Sequence, residues 1–259
     1  MKRKNILKFS AISCRVSAIL LLALLFSCKK MPFTNGNMTI ETRQLSDFNT
    51  IHINDNININ MIKSDSSFIE IRAGENLMPN IISEVVDDIL IIKNENIGNL
   101  FRDKNNSISA DIYYKSNINN IYYHSIGDLH SEDYINNDSL SCFNFELNDG
   151  SGDIDIKVKC SRFNLEVYGG SSSLNVDGRC DTIDIYRKGL GIIHLENMPT
   201  KVADIMLFRG NDIYVNCSDS LYARIYDFGN IYYKGQPKIK SYISPDALGR
   251  IIEIENLRN

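Results

Sequence analysis

Short runs in which apolar and polar residues alternate fill the chain from Phe143 onward, paired across Gly-rich turns. Phe143, Phe145 and Leu147 precede Asp149-Gly150-Ser151-Gly152-Asp153, and Ile154, Ile156 and Val158 follow it. Phe163, Leu165 and Val167 precede Gly169-Gly170-Ser171-Ser172-Ser173, and Leu174 and Val176 follow. Later copies turn at Gly189-Leu190-Gly191, Gly210-Asn211-Asp212, Asp227-Phe228-Gly229-Asn230 and Leu248-Gly249-Arg250, with a looser early copy at Ser125-Ile126-Gly127-Asp128-Leu129. A period of two buries one face of a strand and wets the other. Equivalent turn positions 127, 152, 172, 191, 211, 229 and 250 are separated by 25, 20, 19, 20, 18 and 21 residues. The chain therefore repeats a two-strand unit of about twenty residues.

Alternation alone fits parallel coils or an antiparallel meander, because both have the same period. Positions that recur as columns favour stacking. The first outward position after each turn reads Asp155, Asn175, His194, Tyr214, Tyr232 and Glu253, and the other corner carries Cys160, Cys180 and, two coils on, Cys217. The expected architecture is all-β, a parallel β-helix or β-solenoid in which each coil leans on its neighbours. Corner glycines are expected to supply φ > 0, which costs a residue with Cβ about 1 kcal/mol or more. Residues 43–115 are less regular than residues 116–256. Phe48, Ile51, Ile53, Ile57, Ile59, Met61, Phe68, Ile69 and Ile71 predict three short strands. Leu77, Ile81, Ile82, Val85 and Val86 then recur at helical spacing, predicting a short helix over one end of the solenoid, and Ile89–Ile92 predicts a further strand.

The first residues carry a different message. Lys2, Arg3, Lys4, Lys8 and Arg15 lead into an apolar run from Val16 to Phe26, too short for a membrane span of roughly 20 residues but suited to an export signal. The run ends Leu25-Phe26-Ser27-Cys28, which resembles a bacterial lipobox. Residues 1–27 are thus expected to be removed and Cys28 to carry the lipid, its thiol being the acylated atom. Residues 28–42 read as the lipidated cysteine and a tether. Lys29, where an Asp would signal inner-membrane retention, points to the outer membrane. With no acidic residues following the cysteine the periplasmic face is favoured, and the cell surface stays open.

The ordered set of features resembles the head GIN domain of putative auto-transporter adhesins, a family of Bacteroidetes-type lipoproteins. The set comprises the Arg43…Phe48…Ile51 opening, Glu75-Asn76-Leu77-Met78, the Gly150–Ile154 turn and Tyr233-Lys234-Gly235-Gln236-Pro237. The resemblance spans residues 43–256. It implies a right-handed solenoid, similar to pectate-lyase-like folds, with an adhesion role and no established catalytic site.

Composition narrows the chemistry. A net charge of −4 with interspersed signs indicates no nucleic-acid groove. Four histidines, His52, His124, His130 and His194, lack ligand spacing with Cys or Glu, so neither metal nor cofactor is expected. Asp149, Asp153 and Asp155 read as turn formers rather than a Ca²⁺ site. Cys160 and Cys180, stacked about 4.8 Å apart, are a candidate disulfide in an oxidising compartment, although parallel neighbours direct their side chains alike, which favours free thiols. Tyr214 and Tyr232, with His194, form a candidate aromatic ledge for a glycan or an envelope-protein partner. Asp155, Asp184 and Glu253 fall in different columns or distant coils, so no carboxylate pair for glycoside chemistry is apparent. The expected function is a lipid-anchored, non-catalytic binding or adhesion module. The alternatives are a polysaccharide lyase or hydrolase, or a purely structural envelope protein.

Overall fold

A computed structural model describes residues 34–97, 107–137 and 141–254. The signal segment and Cys28 lie outside the described residues. The strands are β1 (Met38–Gln44), β2 (Thr50–Asp55), β3 (Asn58–Lys63), β4 (Phe68–Gly74), β5 (Ile81–Val86), β6 (Ile89–Asn94), β7 (Ser109–Tyr114), β8 (Asn120–Ser125) and β9 (Leu129–Asn137). They continue with β10 (Cys142–Leu147), β11 (Ile154–Val167), β12 (Leu174–Arg187), β13 (Ile193–Leu207), β14 (Ile213–Ile225), β15 (Ile231–Lys234), β16 (Lys238–Ile243) and β17 (Ile251–Glu253).

Two walls of parallel strands face each other across the core. The first stacks β6, β2, β8, β10, the second halves of β11 to β14, and β16. The second stacks β7, β3, β9, the first halves of β11 to β14, β15 and β17. Each long strand crosses from second wall to first at a corner where Cys160 pairs with Cys180 and Thr200 with Cys217. Gly-rich turns return the chain to the second wall. The parallel solenoid read from the columns is the fold.

Inward positions stack as apolar columns. Phe145, Leu165, Ile185, Ile205 and Ala223 form one; Ile154, Leu174, Ile193, Ile213 and Ile231 form another. All are buried. No coil has a core of its own, so stability comes from contact between successive coils.

Four expectations need correction. The predicted helix is a single 3-10 turn, Met78–Asn80, followed by β5. Ile81, Ile82, Val85 and Val86 are β-branched and suit a strand. Asp87 and Asp88 have φ of 50° and 62°, the two-residue turn that folds β5 back antiparallel on β6. The N-terminal end is therefore closed by strands of opposite sense: β5 over the first wall, and β4 then β1 over the second. Second, residues 38–42 are no tether, because β1 starts at Met38 and pairs with β4 throughout its length. Third, the outward column ends in Ile252, not Glu253. Tyr232 pairs with Ile252, which places Glu253 opposite Tyr233.

The fourth concerns the corner glycines. Gly170, Gly210 and Gly229 do have positive φ, but Gly127, Gly152, Gly191 and Gly249 do not. Closeness selects glycine there. A Cβ on Gly152 would collide with the Gly127 carbonyl and with the Tyr123 hydroxyl, and one on Gly210 would lie 2.7 Å from Arg187 Nε. Two long polar side chains occupy the space the glycines leave. Tyr123 donates to Gly127 O, and burial pushes its phenol up to about 12. Arg187, in the inward column between Val167 and Leu207, is 1% exposed. One guanidinium nitrogen donates to Gly191 O, and Nε has no partner.

Candidate functional site

On the second wall His194, Tyr214 and Tyr232 meet as anticipated, at consecutive positions of one outward column. The ring centres of His194 and Tyr214 are 4.8 Å apart with an interplanar angle of 11°; those of Tyr214 and Tyr232 are 4.7 Å apart at 7°. Rings stacked this way cover each other's faces and present edges and polar tips to solvent. His194 Nδ1 lies 2.9 Å from Glu196 Oε1, and burial raises the Tyr214 phenol above its ordinary pKa. A sugar resting on an aromatic needs a free face, so this column is a poorer platform than its composition implies.

A second aromatic row, missed in the sequence, runs along the Gly-rich corner of the first wall. Tyr168, Tyr186, Phe208, Tyr226 and Tyr242 follow one another with ring centres 5.6, 5.1, 4.6 and 5.7 Å apart. Three of these contacts are tilted by 49° to 52°, which leaves faces partly open. Lys188 Nζ sits 5.0 Å from the Tyr186 ring centre and 5.1 Å from that of Phe208, a cation–π arrangement. The Tyr168 hydroxyl donates to Glu166, which, ahead of desolvation, pushes its pKa up to about 12. Beside the row opens a concavity of about 620 Å³, bounded by Tyr168, Leu190 and Phe228, by Ser151 and Ser171, and by Lys188, Arg209 and Asp149. The row is divided between two outward registers, Tyr186 and Tyr242 in one and Tyr168, Phe208 and Tyr226 in the other with Lys188 between Tyr168 and Phe208, so no single column displays all of it. An aromatic recurring near every coil turn was the available signal.

Polar columns lie alongside. Asn164 Nδ2 donates to Asn144 Oδ1, and Asn144 Nδ2 to Asn120 Oδ1, each at 2.7 Å. The same column continues into Asp184 and Asp204, whose carboxylates pair with Arg162 and Arg224. These acids, with Glu166 and Tyr186, border a shallower hollow of about 230 Å³. On the second wall Asp155 Oδ1 accepts from Asn175 Nδ2 at 2.6 Å. Among the described residues no group of three or more His, Cys, Asp or Glu side chains is arranged to hold a metal ion.

Cys160 and Cys180 face each other inside the corner as free thiols with Sγ–Sγ 3.4 Å. The Cys160 thiol donates to Cys180, which, with burial, raises the Cys160 pKa; the same bond lowers that of Cys180 against the opposing effect of burial. Cys217 is buried and Cys142 exposed.

The class that these features define is a β-solenoid displaying repeated side-chain columns on its flat walls and corners. The chain belongs to the family described as putative auto-transporter adhesin, head GIN domain, whose model matches residues 47–237. Solved structures share the fold. A putative adhesin from Bacteroides fragilis superposes with a TM-score of 0.76 at 22% identity, over 86% of this chain and 100% of that one. One from Parabacteroides merdae gives 0.66 at 20%, over 86% and 98%. A putative lipid binding protein from Parabacteroides distasonis gives 0.61 at 20%, over 86% and 99%. No curated protein matches the sequence.

Proposed function

We propose that the protein is an exported, lipid-anchored, non-catalytic binding module whose ligand is a glycan chain lying along the Gly-rich corner. The row Tyr168–Tyr186–Phe208–Tyr226–Tyr242 beside the 620 Å³ concavity carries this reading. Tilted rings offer apolar faces to pyranose C–H groups, while Ser151, Ser171, Lys188 and Arg209 offer donors to hydroxyls and carboxylates. An open, half-polar hollow suits a sugar better than an acyl chain. Anchorage rests on the basic leader, the apolar run and Leu25-Phe26-Ser27-Cys28, with the outer membrane as its site and the periplasm favoured over the cell surface. Membership of an adhesin family is consistent with an envelope location.

A soluble form beginning at Thr34, screened on a glycan array, tests the ligand. Tyr168→Ala and Phe228→Ala are expected to abolish retention, and Tyr214→Ala to preserve it. New reducing ends in the retained glycan would instead support the lyase or hydrolase alternative, with Asp184 and Asp204 the first acids to replace. Retention indifferent to Tyr168 and Phe228 would refute the site. Cys28→Ala is expected to release the protein from membranes, and protease shaving of intact cells reports which face it occupies.

A further inference from the structure

The two ends of the solenoid are finished differently. At the N-terminal end β5 lies antiparallel on β6 and closes the first wall. At the other end that wall stops at β16. Leu221, Ala223 and Ile225 of β14 are fully buried, yet the residues paired with them, Ile239, Ser241 and Ile243, are exposed, the isoleucines by 41% and 42%. Among the described residues β16 pairs with β14 alone. Its other edge therefore carries, among the described residues, unpaired backbone N–H and C=O groups beside inward-facing apolar side chains, a template for one more strand. The outward positions of this edge are Lys238, Lys240 and Tyr242. Neither lysine has an ion-pair partner among the described residues, although Lys240 Nζ lies 5.5 Å from the Tyr222 ring centre.

We propose that β16 is a docking edge for an extended segment of a partner protein in which acidic residues alternate with apolar ones. Added as a strand, the segment's apolar side chains cover Ile239, Ser241 and Ile243 as a further coil does, and its acids face Lys238 and Lys240. The charge of the edge selects the occupant. A second copy joined β16 to β16 brings lysines against lysines, which is repulsive across a strand pair, whereas acidic positions convert that repulsion into pairing. This edge meets the proposed glycan corner at Tyr242, the last ring of the aromatic row, but strand addition does not depend on that reading.

The test uses the full-length protein in detergent and a fluorescein-labelled peptide, Glu-Ile-Glu-Ile-Glu-Ile-Glu. Saturable binding by fluorescence polarisation is expected, weakened at least about tenfold by the double substitution Lys238→Glu, Lys240→Glu. Binding is expected to be abolished when alternate peptide nitrogens are methylated, since strand addition needs those donors, and unchanged by Tyr168→Ala. Circular dichroism checks that the charge-reversed protein is folded. Any of four results overturns the proposal: no binding of the acidic peptide; equal binding of a Lys-Ile peptide; equal binding of the methylated peptide; or self-association at rising concentration that the charge reversal abolishes, which makes a second copy the occupant.

Discussion

Arg187 is the residue where the structure makes its sharpest energetic demand. It is buried in a column otherwise built from Leu147, Val167, Leu207 and Ile225, and burial lowers its pKa from the ordinary arginine value to about 10, against the pull of Asp212. At about 1.4 kcal/mol per pH unit, that displacement corresponds to about 3 kcal/mol held against the folded state. Arg187→Met removes the charge and the unpartnered Nε while keeping a long unbranched side chain. It gives up the bond to Gly191 O, worth about 1.5–3 kcal/mol for a charged donor. The expected balance is a gain of about 1 kcal/mol, in line with other replacements of buried ions by apolar residues. For a domain of this size that raises Tm by about 2–4 °C. Arg187→Ala, which empties the corner, should lower stability by about 2–5 kcal/mol. Thermal and urea unfolding followed by circular dichroism measure both. Linkage supplies a check. Above about pH 10 the native guanidinium releases its proton while the unfolded one keeps it, so this group makes wild-type stability rise with pH there. The Met variant should lack that rise. If Arg187→Met lowers Tm as far as Arg187→Ala, the cation is contributing stability and the reasoning fails.

Gly152→Val should destabilise by about 3 kcal/mol through collision with Gly127 and Tyr123, while Lys157→Ala stays within about 0.5 kcal/mol; equal urea midpoints for the two would contradict the crowding account. Tyr123, raised to about 12, contributes stability that is complete below pH 10 and lost as pH climbs toward 12, because the unfolded phenol ionises first. Tyr123→Phe should flatten that part of the pH–stability curve, and an unchanged slope would assign it elsewhere. In the soluble form, Cys142 should react at once with a thiol reagent, and Cys160, Cys180 and Cys217 only on unfolding. Two thiols instead of four in unfolded, unreduced protein would reveal a Cys160–Cys180 bridge.

Stacking turns periodic sequence into columns, and this is why the solenoid could be read without coordinates. Cys160 over Cys180 and His194 beneath Tyr214 and Tyr232 were visible because one coil rise separates residues about twenty apart. The reading weakened where the stack ends. Leu77 to Val86 fit a helical spacing by accident, and only the β-branched content and the Asp87-Asp88 turn told against it. The final coil is one residue out of phase, which misplaced Glu253. Corner chemistry was less legible still. The alternation Ile183, Ile185, Arg187 put a charge at an inward position, yet its accommodation depends on Gly191, whose carbonyl it reaches, and on Gly210, about a coil later in sequence but in contact in space, neither of which a local pattern reveals. The aromatic row escaped for a related reason: its five rings are divided between two registers.

Chain order differs from spatial order at the start of the stack. The β2–β3 coil receives β6 and β7 on one side and β8 and β9 on the other. As the polypeptide is made N-terminus first, this coil is a seed with two growing fronts. The arrival of residues 89–94 and 109–114, backed by antiparallel strands, plugs one front before most of the repeats exist. Every later coil then has a single place to add, so assembly proceeds in one direction and a misplaced repeat finds no second surface to settle on.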